Sequence, residues 1–83
     1  MTRVGKLHAW VLANPRASIA FRDFETLLAA HGFSLVRIAG SHRQYAHPDI
    51  PLVFSIQPRG KEAKSYQIAQ FLAICSEHGL TLE

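Results

Sequence analysis

The chain has 83 residues, of which 48% are hydrophobic and 18% charged, with a formal net charge of +3. This balance is typical of a folded protein of one domain, residues 1–83, and excludes a disordered chain. No apolar run approaches the roughly 20 residues that cross a bilayer, we expect no signal peptide, and a lone cysteine indicates a reducing cytoplasm.

The first part of the sequence predicts two helices. Residues 3–13 carry apolar residues at helical spacing, and Pro15 ends this helix because it pushes the preceding residue out of the α region. The short apolar "SIAF" is an extended segment or a strand. "FRDFETLLAAHGF" has the spacing of a second amphipathic helix, for which Gly32 is a fitting C-terminal stop.

Three strands and a third helix follow. We expect strands at 33–39, 42–47 and 51–57, the last with Leu52, Phe54 and Ile56 on one face. "GS" between the first two strands fits a tight hairpin, and "HPDIP" makes the second turn. "QPRGKEAK" is expected to be a loop, and the last helix to run over 65–78.

This order of elements predicts an α+β fold with two layers. Helices on either side of a three-stranded antiparallel meander pack on one sheet face, which leaves the other face free for a ligand. Residues 1–20 form an N-terminal helical extension and residues 21–80 the core. The aromatic residues expected in the core are Trp10, Phe21, Phe24, Phe33, Phe54 and Phe71.

Several reactive side chains have a structural interpretation. Cys75 lies on the apolar stripe of the last helix, which favours a buried thiol over a nucleophile. His31 and His78 are each near a helix C-terminus, where an imidazolium suits the helix dipole, and His8 is expected on the surface. No spacing of histidines and carboxylates suits a metal, so we expect no metal and no cofactor.

His42 has a different setting, because it follows a Gly-Ser turn at the start of a strand. Histidine takes and returns a proton near neutral pH, and the backbone N–H groups of Gly40 and Ser41 can hold a phosphate oxygen. Such a turn also arises by chance. On this strand His42 shares a side with Gln44, whereas Arg43 and Tyr45 take the other side.

Five cations lie between Arg37 and Lys64, and in this stretch only Asp49 and Glu62 carry negative charge. The cations form either a solvated face or a surface for phosphates. Tyr45 and Tyr66 are candidates to stack on bases, and either ring can equally be buried. The predicted RNA-binding residues are Arg37, Arg43, Tyr45, Arg59, Lys61 and Lys64.

From about Phe21 to Leu80 the chain resembles the HicA family of toxins. The resemblance rests on "LLAAHGF", "LVRIAGSHRQYAHP", a strand that ends "SIQP", and "KSYQIAQFLAI", in this order. It implies a double-stranded-RNA-binding-like α-β-β-β-α fold, here with an additional N-terminal helix. Relatives often have a second histidine where this chain has Arg43, and another where it has "QPRGK".

The resemblance also implies an activity and a partner. The family cleaves mRNA without a metal, its catalytic histidine corresponds to His42, and a HicB antitoxin neutralises it by binding over the active site. On this basis His42 is expected to act as general base or acid, with the adjacent 2′-OH as nucleophile. The alternatives are a non-catalytic RNA-binding module and a domain that docks an acidic protein.

Overall fold

The computed structural model describes residues 3–80, in which two helices are followed by five strands and a third helix. The elements in chain order are α1 (Arg3–Ala13), α2 (Phe21–Ala30), β1 (Ser34–Ala39), β2 (His42–Ala46), β3 (Phe54–Ile56), β4 (Pro58–Arg59), β5 (Glu62–Ala63) and α3 (Ser65–His78). No helix in this part of the chain has the length and apolar character that crossing a membrane requires.

The central sheet is antiparallel, with strand order β1-β2-β3. Side chains alternate between its two faces. One face packs on the helices through Tyr45, Phe54 and Ile56, which are buried with Phe24 and Phe71 of α2 and α3. The α+β architecture with an extra N-terminal helix is therefore confirmed. The opposite face, which carries His42, Gln44 and Ser55, is left open by the helices of residues 3–80.

A β-bulge interrupts β1. Leu35 pairs with Tyr45 and Arg37 pairs with Gln44, so that Val36 is an extra residue in β1. A bulge of this kind turns the following residues relative to the strand partner. All six residues of β1 are exposed, because the helices cover β2 and β3 and leave this edge strand uncovered.

The third strand is shorter than expected. The sequence predicted a strand over 51–57, but the ladder with β2 includes only Phe54–Ile56. Before it, the backbone N–H of Ile50 donates to the carbonyl of His47 at 3.1 Å, which closes a turn. Pro51 has no N–H to give to a ladder, and Leu52 is 71% exposed instead of sharing the buried face of the strand.

The expected loop after β3 is a small hairpin. Strands β4 and β5 pair around Gly60, whose φ of 64° is the conformation that glycine tolerates best. The "SIAF" segment runs alongside, since the N–H of Ala63 donates to the carbonyl of Ile19 at 2.8 Å and Ala20 forms a bridge with Glu62. Residues 18–20 of "SIAF" are thus extended, as expected, while Phe21 begins α2. The expectation that "QPRGKEAK" forms a loop was wrong.

Tight packing around α2 explains the "HGF" sequence that ends it. Gly32 has a φ of 92°, and a Cβ there would meet the Nε2 atom of His47 at 2.9 Å. Five of the six aromatic residues expected in the core are buried: Phe21, Phe24, Phe33, Phe54 and Phe71. The expectation for Trp10 was wrong. It is 46% exposed, because α1 turns Val11 rather than Trp10 towards the core.

Two histidines join α1 to the end of α2. The Nδ1 atom of His31 lies 2.7 Å from the carbonyl oxygen of Leu27, and its Nε2 atom is buried without a hydrogen-bond partner among residues 3–80. The His8 ring packs edge-on against it with centroids 4.9 Å apart. Burial, and secondarily repulsion from His31, lowers the pKa of His8 below its ordinary value of 6.5.

We predict that this contact makes stability depend on pH. The folded state disfavours the charged form of His8. The contribution of neutral His8 to the free energy of unfolding is therefore present above pH 6.5 and is lost as the pH falls below this value. The melting temperature should fall between about pH 7.5 and about pH 5.5, and His8→Gln should flatten that slope. His78→Gln, which changes an exposed histidine of α3, is the control and should leave the slope in place. An equal slope for wild type and His8→Gln would contradict the prediction.

Candidate functional site

His42 begins β2 on the face of the sheet that the helices leave open. It pairs with Ala39 of β1 and is exposed, whereas Tyr45 of the same strand is buried against the helices. Since neighbouring residues of a strand point to opposite faces, His42 and Gln44 share the open face. An imidazole at this position is accessible to a macromolecular ligand.

The turn before His42 has two residues. Gly40 has a φ of 60°, whereas Ser41, like every other non-glycine residue between 3 and 80, has a negative φ. These signs are those of a type II′ turn, which requires glycine at the first central position. The turn fixes the register in which Ala39 faces His42, so Gly40 determines where the imidazole lies.

Side-chain hydrogen bonds connect this turn to the rest of the fold. The amide Nε2 of Gln57 donates to the Oγ of Ser41 at 3.0 Å. The backbone N–H of Gln57 in turn donates to the Oε1 of Gln67 at 3.1 Å, and Gln67 is buried in the first turn of α3. Neither glutamine was identified from the sequence, because each is recognised only through partners distant in the chain.

Arg37 is a predicted cation that lies on the open face, in the strand next to His42. It pairs with Gln44, and its side chain is exposed. The bulge at Val36 brings this arginine to the open face, because without the extra residue the alternation would continue unbroken from Leu35. His42 and Arg37 therefore belong to one surface.

Arg43 lies on the other face, where it contacts α2. Its Nη1 donates to both carboxylate oxygens of Glu25, at 3.1 and 2.9 Å, and its guanidinium lies 5.5 Å from the centre of the Phe21 ring. The expectation that Arg43 binds RNA beside His42 has no support in this geometry. The side chain is engaged in holding the sheet on the helices.

Tyr45 is also turned towards α2. Its hydroxyl donates to the Oε2 of Glu25 at 2.6 Å, and only 5% of the residue is exposed. Burial, followed by the hydrogen bond and the charge of Glu25, raises the pKa of Tyr45 above its ordinary value of 10.0. A ring in this position is not available to stack on a base, so the expected RNA contact of Tyr45 has no support either.

A second group of cations surrounds the β4–β5 hairpin and the start of α3. Arg59 and Lys61 are exposed on the hairpin, and Lys64 precedes the helix. Tyr66 is 57% exposed, with the Lys64 ammonium 5.9 Å from its ring centre. Arg16, which was not identified from the sequence, lines the same groove as Arg59 and Lys64.

The side chains given a structural interpretation differ in burial. Cys75 is buried, and burial raises the pKa of its thiol to about 11, so that little nucleophilic thiolate forms. His31 is buried as well, whereas His78 is exposed in the last turn of α3. Among residues 3–80, no group of three or more histidine, cysteine or acidic residues is arranged to hold a metal.

The fold defines a class of protein. Helices on one face of an antiparallel three-stranded sheet, with the other face open, form the double-stranded-RNA-binding-like α+β architecture. Residues 21–75 match the sequence model of the family described as HicA toxin of bacterial toxin-antitoxin. This match covers more than half of the 83 residues, so the chain belongs to the HicA toxin family.

Membership in this family identifies the chain as the toxin of a toxin–antitoxin pair and implies an antitoxin partner. The match begins at the first residue of α2 and ends within α3, so that α1 lies outside it. No curated protein and no solved structure matches the chain.

We predict that Tyr45 contributes to stability and not to ligand binding. Tyr45→Phe removes a hydrogen bond to a carboxylate and should lower the free energy of unfolding by about 1–2 kcal/mol, measured by urea denaturation. The matched control is Tyr66→Phe at an exposed position, which should change it by less than about 0.5 kcal/mol. Equal effects of the two variants would contradict the assignment of Tyr45.

Proposed function

We propose that the protein is an mRNA-cleaving toxin in which His42 is the general base. The observation that carries the proposal is the exposure of His42 on the open sheet face, on the same surface as Arg37. Membership in the HicA family supports cleavage of RNA by this surface. The cytoplasm, where mRNA is present, is the expected compartment.

The proposed reaction is transfer of a phosphodiester within the RNA. His42 accepts the proton of a 2′-OH, whose oxygen attacks the adjacent phosphorus. The bond from phosphorus to the 5′-oxygen breaks, which leaves a 2′,3′-cyclic phosphate and a 5′-OH, and water supplies the proton to the leaving oxygen. Positioned proton transfer contributes about 10²–10⁴-fold to a rate of this kind.

Cations bind the RNA backbone in this proposal. Arg37 contacts a phosphate next to His42, and the backbone N–H groups of Gly40 and Ser41 lie at the turn beside it. The RNA continues along the β4–β5 hairpin, where its phosphates meet Arg59, Lys61, Lys64 and Arg16. These contacts do not read base identity, so the sequence preference of cleavage should be broad and binding should weaken with salt.

The exposed ring of Tyr66 supplies a stacking surface within this cationic region. Base–aromatic stacking contributes about 1–3 kcal/mol per base and tolerates all four bases. Tyr66 thus takes the role that Tyr45, being buried, does not offer.

The antitoxin that we expect is HicB-like and binds over His42. A protein bound to the open face would exclude RNA from His42 and Arg37 together. The sheet offers such a partner a surface without helices, and its local positive charge favours an acidic contact.

His42→Ala tests the catalytic assignment. Because the His42 side chain is exposed and makes no hydrogen bond or ion pair with residues 3–80, this variant should melt at the wild-type temperature. It should lose at least about 10²-fold in cleavage of labelled mRNA and should no longer arrest growth. RNA that is bound but not shortened by the wild-type protein would favour the non-catalytic binding module instead, and an unchanged rate in His42→Ala would exclude this base.

The same assay in EDTA tests metal independence, which rests on the family resemblance. We expect the wild-type rate to persist in the chelator. Activity lost in EDTA and restored by one divalent ion would contradict this part of the proposal.

Arg37→Gln tests the RNA surface. Removing one phosphate contact should weaken RNA binding and reduce the slope of log K against log salt by about 0.7, the value for a single strand. The matched control is Arg22→Gln, which removes an exposed arginine from α2 in the helical layer and should leave the slope unchanged. Equal losses in both variants would indicate a response to net charge rather than a contact on the open face.

A further inference from the structure

Gln57 follows the last residue of β3, next to the turn that precedes His42. The β2–β3 ladder ends where Arg43 pairs with Ile56, and continuing its register by one residue would set Gln57 against His42. The hydrogen bond from the Gln57 amide to Ser41, the residue before His42, places this side chain beside His42.

Gln57 is held at two points, one on its side chain and one on its backbone. Its amide donates to Ser41, which precedes His42, and its backbone N–H is fixed by the buried Oε1 of Gln67. The first contact uses one of the two hydrogens on Nε2, and the second hydrogen remains available to a ligand. Gln57 is only half-buried, and its hydrogen bond to Ser41 is exposed to solvent, so a ligand can reach the amide.

A cleaved phosphodiester needs such a donor. Negative charge grows on the non-bridging oxygens as the 2′-oxygen attacks, and a donor already aimed at them stabilises the transition state. Arg43 adjoins His42 in sequence but lies on the opposite face, bound to Glu25. The amide of Gln57 lies beside the turn that precedes His42 and is hydrogen-bonded there before RNA binds.

We propose that Gln57 is a catalytic residue whose amide donates to a non-bridging oxygen of the phosphate that His42 acts on. Gln67 is a positioning residue, which acts by holding the backbone of Gln57. This inference rests on the proposed ribonuclease function. Gln57 transfers no proton and forms no covalent bond in this role, and the bond changes remain those of the 2′-OH reaction.

The experiment compares Gln57→Leu with Gln70→Leu, which makes the same change at an exposed position of α3. In single-turnover cleavage of a labelled RNA, Gln57→Leu should lower the rate about 10²-fold and Gln70→Leu should not change it. RNA affinity, measured for Gln57→Leu in a His42→Ala background that does not cleave, should stay within about 3-fold of His42→Ala alone. This split separates transition-state stabilisation from RNA binding.

Gln67 is tested by two variants that differ in one property. Gln67→Leu removes the acceptor for the backbone N–H of Gln57, whereas Gln67→Glu keeps an acceptor at the same place. We expect Gln67→Leu to lower the cleavage rate about 10-fold and Gln67→Glu to restore most of it. Melting temperatures show whether each variant is folded. Equal cleavage rates for folded Gln67→Leu and folded Gln67→Glu would overturn the positioning role of Gln67.

The failure of this inference differs from the failure of the proposed function. If His42→Ala is inactive while Gln57→Leu cleaves within about 3-fold of wild type, Gln57 has no catalytic role and the ribonuclease assignment stands. If the wild-type protein binds RNA without cleaving it, both proposals fall. If Gln57→Leu weakens RNA affinity as much as it lowers the rate, Gln57 binds RNA but does not act on the transition state.

Discussion

The carboxylate of Glu25 determines which face of the sheet is free. It accepts hydrogen bonds from both Arg43 and Tyr45, the two residues of β2 that point towards α2. Because alternate residues of a strand point to opposite sides, fixing these two turns His42 and Gln44 to the open face. A shift of β2 by one residue would exchange the two sets and bury the imidazole against the helices.

The Arg43–Glu25 ion pair is partly exposed to solvent, which limits its contribution to stability. The side chains of Arg43 and Glu25 are 40% and 21% exposed, so their charge attraction is screened and contributes modestly. The Tyr45 hydroxyl donates to the Oε2 of Glu25 at 2.6 Å, and Tyr45 is only 5% exposed. The hydrogen bonds to Glu25 therefore fix which face of β2 contacts the helices, and in which register, more than they add stability. The apolar burial that stabilises the fold comes from Phe54, Ile56 and the aromatic core.

Features that arise from local chemistry could be predicted from the sequence. Helical periodicity, the glycine stop after α2 and the Gly-Ser turn each depend on neighbouring residues, and the alternation of β2 already separated His42 from Arg43. Strands β4 and β5 were not predicted. They have two residues each, and β5 also bridges to Ala20 of "SIAF", which is distant in the chain. Proline and glycine in "QPRGKEAK" are typical of a loop, and they occur here in a hairpin.

In the candidate site, too, the local features could be predicted and the contacts between distant residues could not. His42, Gly40 and Ser41 form a contiguous motif that a reader of the sequence can find, whereas Glu25 is 18 residues from Arg43 and Gln67 is 10 residues from Gln57. The sequence alone does not reveal whether a basic side chain has a partner in the fold, and the contact with Glu25 turns Arg43 away from the surface that carries His42 and Arg37. In the proposed mechanism, charge neutralisation and proton transfer belong to different side chains. Separate substitutions should then change the RNA affinity and the cleavage rate.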